Sequence, residues 1–518
     1  MVFLEATSRT LDTNNNGIET SPLLQQRTGM VNIEAGTCFS STAPLLSEFF
    51  DSDSVSTTVI AKQEASLLIW SGIPLALAYL LQFSFTFTNT LSLGHLGTNE
   101  LAAAALGNMT LFMFINAPAV GLATALDTFC STAFTASSDK TLVGFHLQCG
   151  YIAVIVHFLF VLPILANIEP ILIVLNQDPT ISHLCGRFVY VQLFGLLPWM
   201  FFECTKRFVQ AQGHMKASTY ILMIVLPLHL LNTYLFVWSP VGFGFLGAAA
   251  ANVVTFCAMF VGIIIYSWKS SARAAWGGWT RRSFAAMPQF YSLAIPSMIM
   301  VCSEWIGWEL MAIASSYLGN VTLVAQSIVI NTCTLTYQPV NGLRVAITNR
   351  IGNLLGQTRA RRSKIASAVG ICLGTVSGLV SLALYIIAAN WWGRIYSTDL
   401  DVVAAVALVM PACGVFQLLD SVTSATSGII RSIGRQTAGA WISIPSYYII
   451  GLPLGLYLTY GRPAMGVLGL WIGLCIAIFI TVSGQLFICL GVNYAEEVKR
   501  CLAQVNNSQN LANSESSE

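Results

Sequence analysis

The strings Pro118-Ala119-Val120-Gly121-Leu122 and Pro339-Val340-Asn341-Gly342-Leu343 stand 221 residues apart and share the pattern Pro-x-x-Gly-Leu. Each interrupts a long apolar stretch. Working outward, Pro74 is answered by Pro296, Gly213 by Gly434 and Gly247 by Gly469, in the same order and at offsets of 221 or 222 residues. The chain therefore reads as two bundles built on one plan. Paired halves with interrupted hydrophobic segments are a sequence signature of carriers whose sites lie where the halves meet.

Composition agrees with a membrane location. Hydrophobic residues make up 55% of the chain and charged ones 9%, against roughly 25% charged in soluble domains. A net charge of +1 and the lack of any basic, aromatic stripe exclude nucleic acid as a partner. The 13 cysteines include Cys130, Cys257, Cys302, Cys333 and Cys475 inside apolar runs. They show no C-x-x-C spacing, so they read as small buried hydrophobes, neither disulfides nor metal ligands. No phosphate-binding loop, metal motif or nucleophile elbow stands out. The expectation is a protein that is not an enzyme, needs no cofactor and takes its drive from an ion gradient.

About twenty apolar residues are needed for a helix to cross a bilayer. Twelve such segments are predicted, centred near residues 78, 111, 157, 199, 228, 256, 303, 334, 377, 415, 448 and 478. The expected fold is all-α and polytopic, with twelve transmembrane helices in two six-helix lobes. The domain reading is a disordered polar tail over 1–62, an N-lobe over 63–268, a linker over 269–288, a C-lobe over 289–491 and a tail over 492–518. Even-numbered loops, among them the one assigned Arg344 and Arg350, hold 16 Lys and Arg, against 3 in odd-numbered loops. Basic residues are retained on the cytoplasmic side, so both termini are expected in the cytosol.

Charges at mid-membrane cost about 2.5–3.5 kcal/mol on insertion scales, so an acid kept there faces a cavity or a partner. Glu304 lies eight residues past Pro296 on helix 7, Glu309 follows it, and Asp420 lies deep in helix 10. A carboxyl that is neutral when loaded and negative when offered to a cation is the chemistry of a proton carrier. Pairing with a base, or capping of a broken helix, is the alternative for the two glutamates. Trp305, Trp308, Tyr337, Tyr447 and Tyr448 are expected to line a cavity with the acids and suit flat organic cations by cation–π attraction. Asn331 is the one further oxygen donor that suggests a sodium cage. Glu203, with Lys206 at i+3 and Arg207 at i+4, reads as an ion pair at the cytoplasmic end of helix 4. Asp127 reads as a capping or gating group, and His157 and His229 as hydrogen-bonded core residues.

Six strings then resemble the multidrug and toxin extrusion (MATE) family, in its eukaryotic, fungal-like branch. They are Gly94-His95-Leu96-Gly97, the run Ala125–Phe134 containing Asp127, Lys206-Arg207-Phe208-Val209-Gln210-Ala211-Gln212-Gly213, the run Pro296–Trp305, Arg350-Ile351-Gly352-Asn353, and Gly451-Leu452-Pro453-Leu454-Gly455. The resemblance spans roughly residues 65–490. It implies an antiporter that exports organic cations, drugs or metabolites against protons or sodium by alternating access. It makes Glu304 the ion-coupling acid and Glu309 a second acid of the C-lobe cavity, and aligns Asp420 with an acid on helix 10. Three departures stand out. Asn89 replaces an acid that prokaryotic members carry on helix 1, which leaves coupling to the C-lobe. Thr132 replaces a Gln, and Ser432 a Gly, at helix ends.

The expectation is thus proton-coupled export through Glu304 and Asp420. Glu309, Asn331, Trp305, Tyr337 and Tyr448 contact substrate, and Asp127, Lys206, Arg207, Gln212, Pro118 and Pro339 serve the gate or the frame. Competing readings are a sodium-coupled exporter, a flippase for lipid-linked precursors and a non-transporting receptor or scaffold. A flippase needs basic residues in its cavity, where the sequence shows acids. The chain is read as a monomer in the bilayer. Glu19-Thr20-Ser21-Pro22-Leu23-Leu24 resembles an acidic dileucine sorting signal, which favours a vacuolar or endosomal membrane over the plasma membrane.

Overall fold

The computed structural model describes residues 56–513 apart from 240, 241 and 463. Most of the segment read as an N-terminal tail, with its dileucine string, lies outside the described residues. Helices dominate the rest. Numbered in chain order, they are α1 Thr57–Gly94, α2 Thr98–Ala136, α3 Thr141–Ala166, α4 Pro179–Ala211, α5 Ala217–Trp238, α6 Phe245–Lys269, α7 Met287–Ser316, α8 Asn320–Gly356, α9 Ala360–Trp392, α10 Leu400–Ser432, α11 Gln436–Tyr460, α12 Val467–Leu490 and α13 Tyr494–Asn513. All twelve predicted centres fall inside α1 to α12.

Eleven of these helices are long and apolar enough to cross a membrane. The twelfth, α8, has 37 residues, or about 55 Å at 1.5 Å per residue. It misses on hydropathy because one face is polar: Thr334, Tyr337, Gln338, Asn341 and Arg344 recur at helical spacing. Arg344 and Arg350 are thus helical residues, and the loop assigned to them begins beyond Gly356. Irregular turns mark several spans. Single π-turns occupy Phe112–Asn116 in α2, Tyr234–Trp238 in α5 and Pro445–Gly451 in α11. Such insertions shift the helix face that follows them.

The repeated glycines show why the doubling exists. A Cβ on Gly121 would fall on the backbone of Met298, bringing α2 against α7. A Cβ on Gly342 would fall on the backbone nitrogen of Ala76 and 2.9 Å from the Gly72 carbonyl oxygen, bringing α8 against α1. Each half therefore offers one glycine to a helix of the other half. Pro118 and Pro339 lie three residues earlier inside the same helices. Backbone cannot rotate away as a side chain can, so Gly342→Ala is expected to cost about 1–3 kcal/mol by overpacking. A lowered unfolding temperature in detergent checks this.

The second repeated feature is a left-handed turn, with φ of +88° at Gly213 after α4 and +73° at Gly434 after α10. These positions favour glycine because an L side chain would crowd its own carbonyl.

The segment read as a C-terminal tail carries α13. Its inward stripe, Tyr494, Glu497, Val498, Cys501, Val505 and Ser508, packs on α2 and α3 of one half and on α8 and α9 of the other. Arg435 and Arg500 both donate to the buried Glu497 carboxylate, and Gln289 donates to Ser508 at 3.1 Å. The strap thus touches both halves at one end. Burial pushes the Cys501 thiol up to about 12, so almost none is the reactive thiolate at pH 8. Glu497→Ala leaves Arg435 without its partner and is expected to speed alkylation of Cys501 at least severalfold, a rate readable by mass spectrometry.

Candidate functional site

A cavity of about 550 Å³ opens between the halves, lined from α1, α2, α4 and α6 on one side and from α7, α8 and α10 on the other. Glu304, Trp305, Glu309, Tyr337 and Asp420 all line it. Asn331 does not. It sits exposed on α8 outside the lining, so the one donor singled out for a sodium cage is absent from the site. Tyr448 is also absent. It lies in the π-turn of α11 and donates its hydroxyl to the Ser303 carbonyl at 3.2 Å.

The acids are aimed by aromatic packing. Trp308, one turn past Glu304, stands edge-on to Phe416 at 4.8 Å and to Trp471 at 5.5 Å. That cluster fixes α7 against α10 and α12 and sets the sectors presented by Glu304, Glu309 and Asp420. Trp305 stacks on Phe112 of α2 at 5.0 Å and 15°, linking the two walls. From α9, Trp392 donates to Thr332 of α8 at 2.8 Å, and the hydroxyls of Tyr385 of α9 and Thr336 of α8 lie 2.9 Å apart, contacts that orient the α8 turn carrying Tyr337. Ser424 of α10 donates to the Tyr337 hydroxyl at 3.4 Å.

The ion pairs of the described residues involve Glu64, Asp127, Glu169, Glu203 and Glu497. Glu304, Glu309 and Asp420 take no part in them. One buried oxygen of Asp420 has no hydrogen-bond partner, nor does either polar atom of the fully enclosed Gln417 side chain one turn before it. Unsatisfied buried polar atoms are costly.

The opposite wall is built from amides. Asn89 donates to Asn252 at 2.5 Å and Gln192 to Asn108 at 3.3 Å, all four lining the cavity. The amide of Asn89 cannot titrate, so this wall offers hydrogen bonds without charge. His229, bonded to Thr255 at 2.7 Å, and His157, 2.9 Å from the Phe114 carbonyl, are held in the frame as expected.

The floor corrects a sequence expectation. The i+3 and i+4 spacing predicts an ion pair of Glu203 at a helix end. The pair exists, with Lys206 at 2.6 Å and Arg207 at 2.9 Å, but Glu203 and Arg207 are buried and line the cavity. Asp127 completes the group at 3.4 Å from Arg207. Arg344 also lines the floor, so the cavity is not purely acidic. Gln212 caps α4 and donates to the Phe208 carbonyl at 3.1 Å, a framing contact outside the cavity.

Below the floor the halves are sewn together. Thr128 donates to the Arg431 carbonyl at 2.5 Å, Gln436 to Thr128 at 2.8 Å and Thr135 to the Asn353 carbonyl at 2.9 Å. Arg350 of α8 grips Glu64 of α1 through two bonds of 2.7 Å, and Arg362 of α9 joins them. Sequence reasoning passed over Glu64, Arg344 and the amides. The stripe of polar residues on α8 was the signal for Arg344. Glu64 gave none, because its partners lie 286 and 298 residues away.

Comparison with known proteins places this geometry. The MatE family model matches residues 74–235 and 296–457, one match per half. An uncharacterized transporter of Schizosaccharomyces pombe is 37% identical over 83% of this chain and 80% of its own. Protein DETOXIFICATION 16 of Arabidopsis thaliana is 31% identical over 87% and 93%, and multidrug and toxin extrusion protein 1 of Danio rerio is 31% identical over 79% and 69%. Among solved structures, the fold matches the eukaryotic MATE transporter AtDTX14 with a TM-score of 0.79 and 24% identity, over 87% of this chain and all of that one.

Proposed function

This chain belongs to the MatE family of multi-pass membrane transporters, and from that premise we propose that it is a proton-coupled antiporter for small organic cations. It is a transporter and not an enzyme. The observation that carries the coupling is the set of three carboxyls, Glu304, Glu309 and Asp420, lining one cavity outside every ion pair of the described residues. A carboxylate there can hold a cation or a proton, and holding both at once is unfavourable because protonation removes the charge that attracts the cation.

The excess of Lys and Arg in the even-numbered loops supports a cytosolic position for the sewn end, and with it a cavity that faces outward. In this arrangement protons from the far side neutralise the acids and release the cargo. The halves then rock about α1–α8 and α2–α7, opening the cytosolic end, where the ionised acids take the next cation. Aromatic faces of Trp305 and Tyr337 hold flat cations. Exchange is enforced because the two ligands compete for the same oxygens.

Proteoliposomes loaded with ethidium, and given either a proton or a sodium gradient, test the proposal. Gradient-driven movement with protons alone supports it, and movement with sodium alone overturns it. On the dileucine string we also propose a vacuolar or endosomal membrane, which imaging of the tagged chain against markers for those membranes and the plasma membrane checks.

A further inference from the structure

Among the described residues, Arg344 is the one cavity-lining base that makes no direct ion pair. It is 7% exposed and reaches the floor from α8. The ion pairs of the described residues take in Lys206, Arg207, Arg350, Arg362, Arg435 and Arg500, but not Arg344. Its guanidinium donates to the side-chain oxygen of Asn341, a neutral amide one turn earlier. Its Nε–H has no acceptor. A guanidinium presents donors in a planar fork that fits a carboxylate with two bonds, and a buried charge without such a partner is costly.

Arg207, the other arginine of the floor, differs in this respect. Glu203 and Asp127 already occupy it. Arg344 packs its stem within 3.4 Å of where a Cβ on Gly428 would stand, so α10 holds it in place. The chain fixes this cation where a ligand can reach it, and among the described residues no carboxylate comes within ion-pair distance of it; the cavity acids act on it only through space.

We propose that Arg344 is an anion subsite, and that the preferred substrates are zwitterions: organic molecules carrying a fixed cationic group and a carboxylate. The cationic end lies against Glu304 and Asp420, and the carboxylate end takes the fork of Arg344. A ligand with separated opposite charges gives both the acids and the arginine a direct partner, which neither has within ion-pair distance in the one cavity. For transport, the inference rests on the exchange reading above; for binding, it does not.

The probes are a matched pair, the trimethylammonium derivative of phenylalanine, which is a zwitterion, and its methyl ester, which is a cation. Their affinities for the purified full chain in detergent are measured by isothermal titration, and their pH-driven uptake in proteoliposomes. A hydrogen-bonded charge contributes enough for about 10- to 100-fold in affinity. Wild type is expected to bind the zwitterion more tightly than the ester by a factor in that range. Arg344→Gln is expected to erase the preference by weakening the zwitterion, with the ester bound no more weakly than by wild type. Arg344→Lys, which keeps the charge and loses the fork, restores part of it and stands in if the glutamine variant does not fold.

Equal or weaker binding of the zwitterion by wild type, no binding of either probe, or a preference that survives in Arg344→Gln would overturn the subsite. A preference in binding with no uptake under the pH gradient would instead leave the subsite standing and overturn the exchange reading.

Discussion

Glu304→Gln is expected to abolish concentrative, pH-driven uptake of organic cations while leaving the fold intact. The amide keeps the shape of the carboxyl and removes both its charge and its proton. A one-unit pH difference is about 1.4 kcal/mol, which drives about tenfold accumulation of a monovalent cation when one proton exchanges for it. Wild-type proteoliposomes should approach that ratio. The variant should stay near a ratio of one, because a group that cannot bind a proton cannot exchange it. Trp308 holds α7 on Phe416 and Trp471 without help from Glu304, so the unfolding temperature should be unchanged within a few degrees. Equal accumulation by both proteins would remove Glu304 from the coupling path.

The second large effect is expected at Glu64. This carboxylate is wholly enclosed between Arg350 and Arg362 and ties α1 to α8 and α9 at the sewn end. Removing one member of a buried ion pair typically costs about 3–5 kcal/mol, because the charge left behind has lost its partner. Glu64→Gln leaves two arginines facing each other. The closed arrangement of that end should lose about 100-fold or more in population relative to an open one. Amide deuterium exchange over residues 350–362 should rise sharply and the unfolding temperature should fall. Exchange and unfolding temperature that both match wild type would show that the cluster does not hold this end closed.

Much of this architecture was legible in the residues because a membrane interior makes polarity conspicuous. Glu304, Glu309 and Asp420 stand out against apolar neighbours, and all three line the cavity. The paired prolines and glycines marked the halves because close backbone approach tolerates no side chain. What was less legible depends on rotation about a helix axis. Asn331 lies at a suitable depth but about 120° around α8 from Tyr337 at 100° per residue, so it faces away. Tyr448 falls in a π-turn, which changes the face presented and cannot be read from spacing.

Arg344 was hidden differently. Its charge suggested a loop, whereas a 37-residue helix carries it well inside the protein. Glu64 and Arg350 are joined by a fold-dependent contact between distant segments, for which local sequence has no marker. The strap helix α13 follows from its stripe of Tyr494, Val498, Cys501 and Val505, a helical period in a segment whose polarity otherwise resembles a tail.

Competition between proton and cation for the cavity carboxyls is the centre of the proposed mechanism, and proton release on binding measures it directly. The purified chain, in lightly buffered detergent solution at a pH where the site is partly protonated, is titrated with a permanently charged arylpyridinium cation while the pH is recorded. Wild type should release protons with the same saturation curve as cation binding, approaching one per cation, and Glu304→Gln should release markedly fewer. Saturable cation binding by wild type without proton release across pH 5 to 9 would contradict exchange at a shared site.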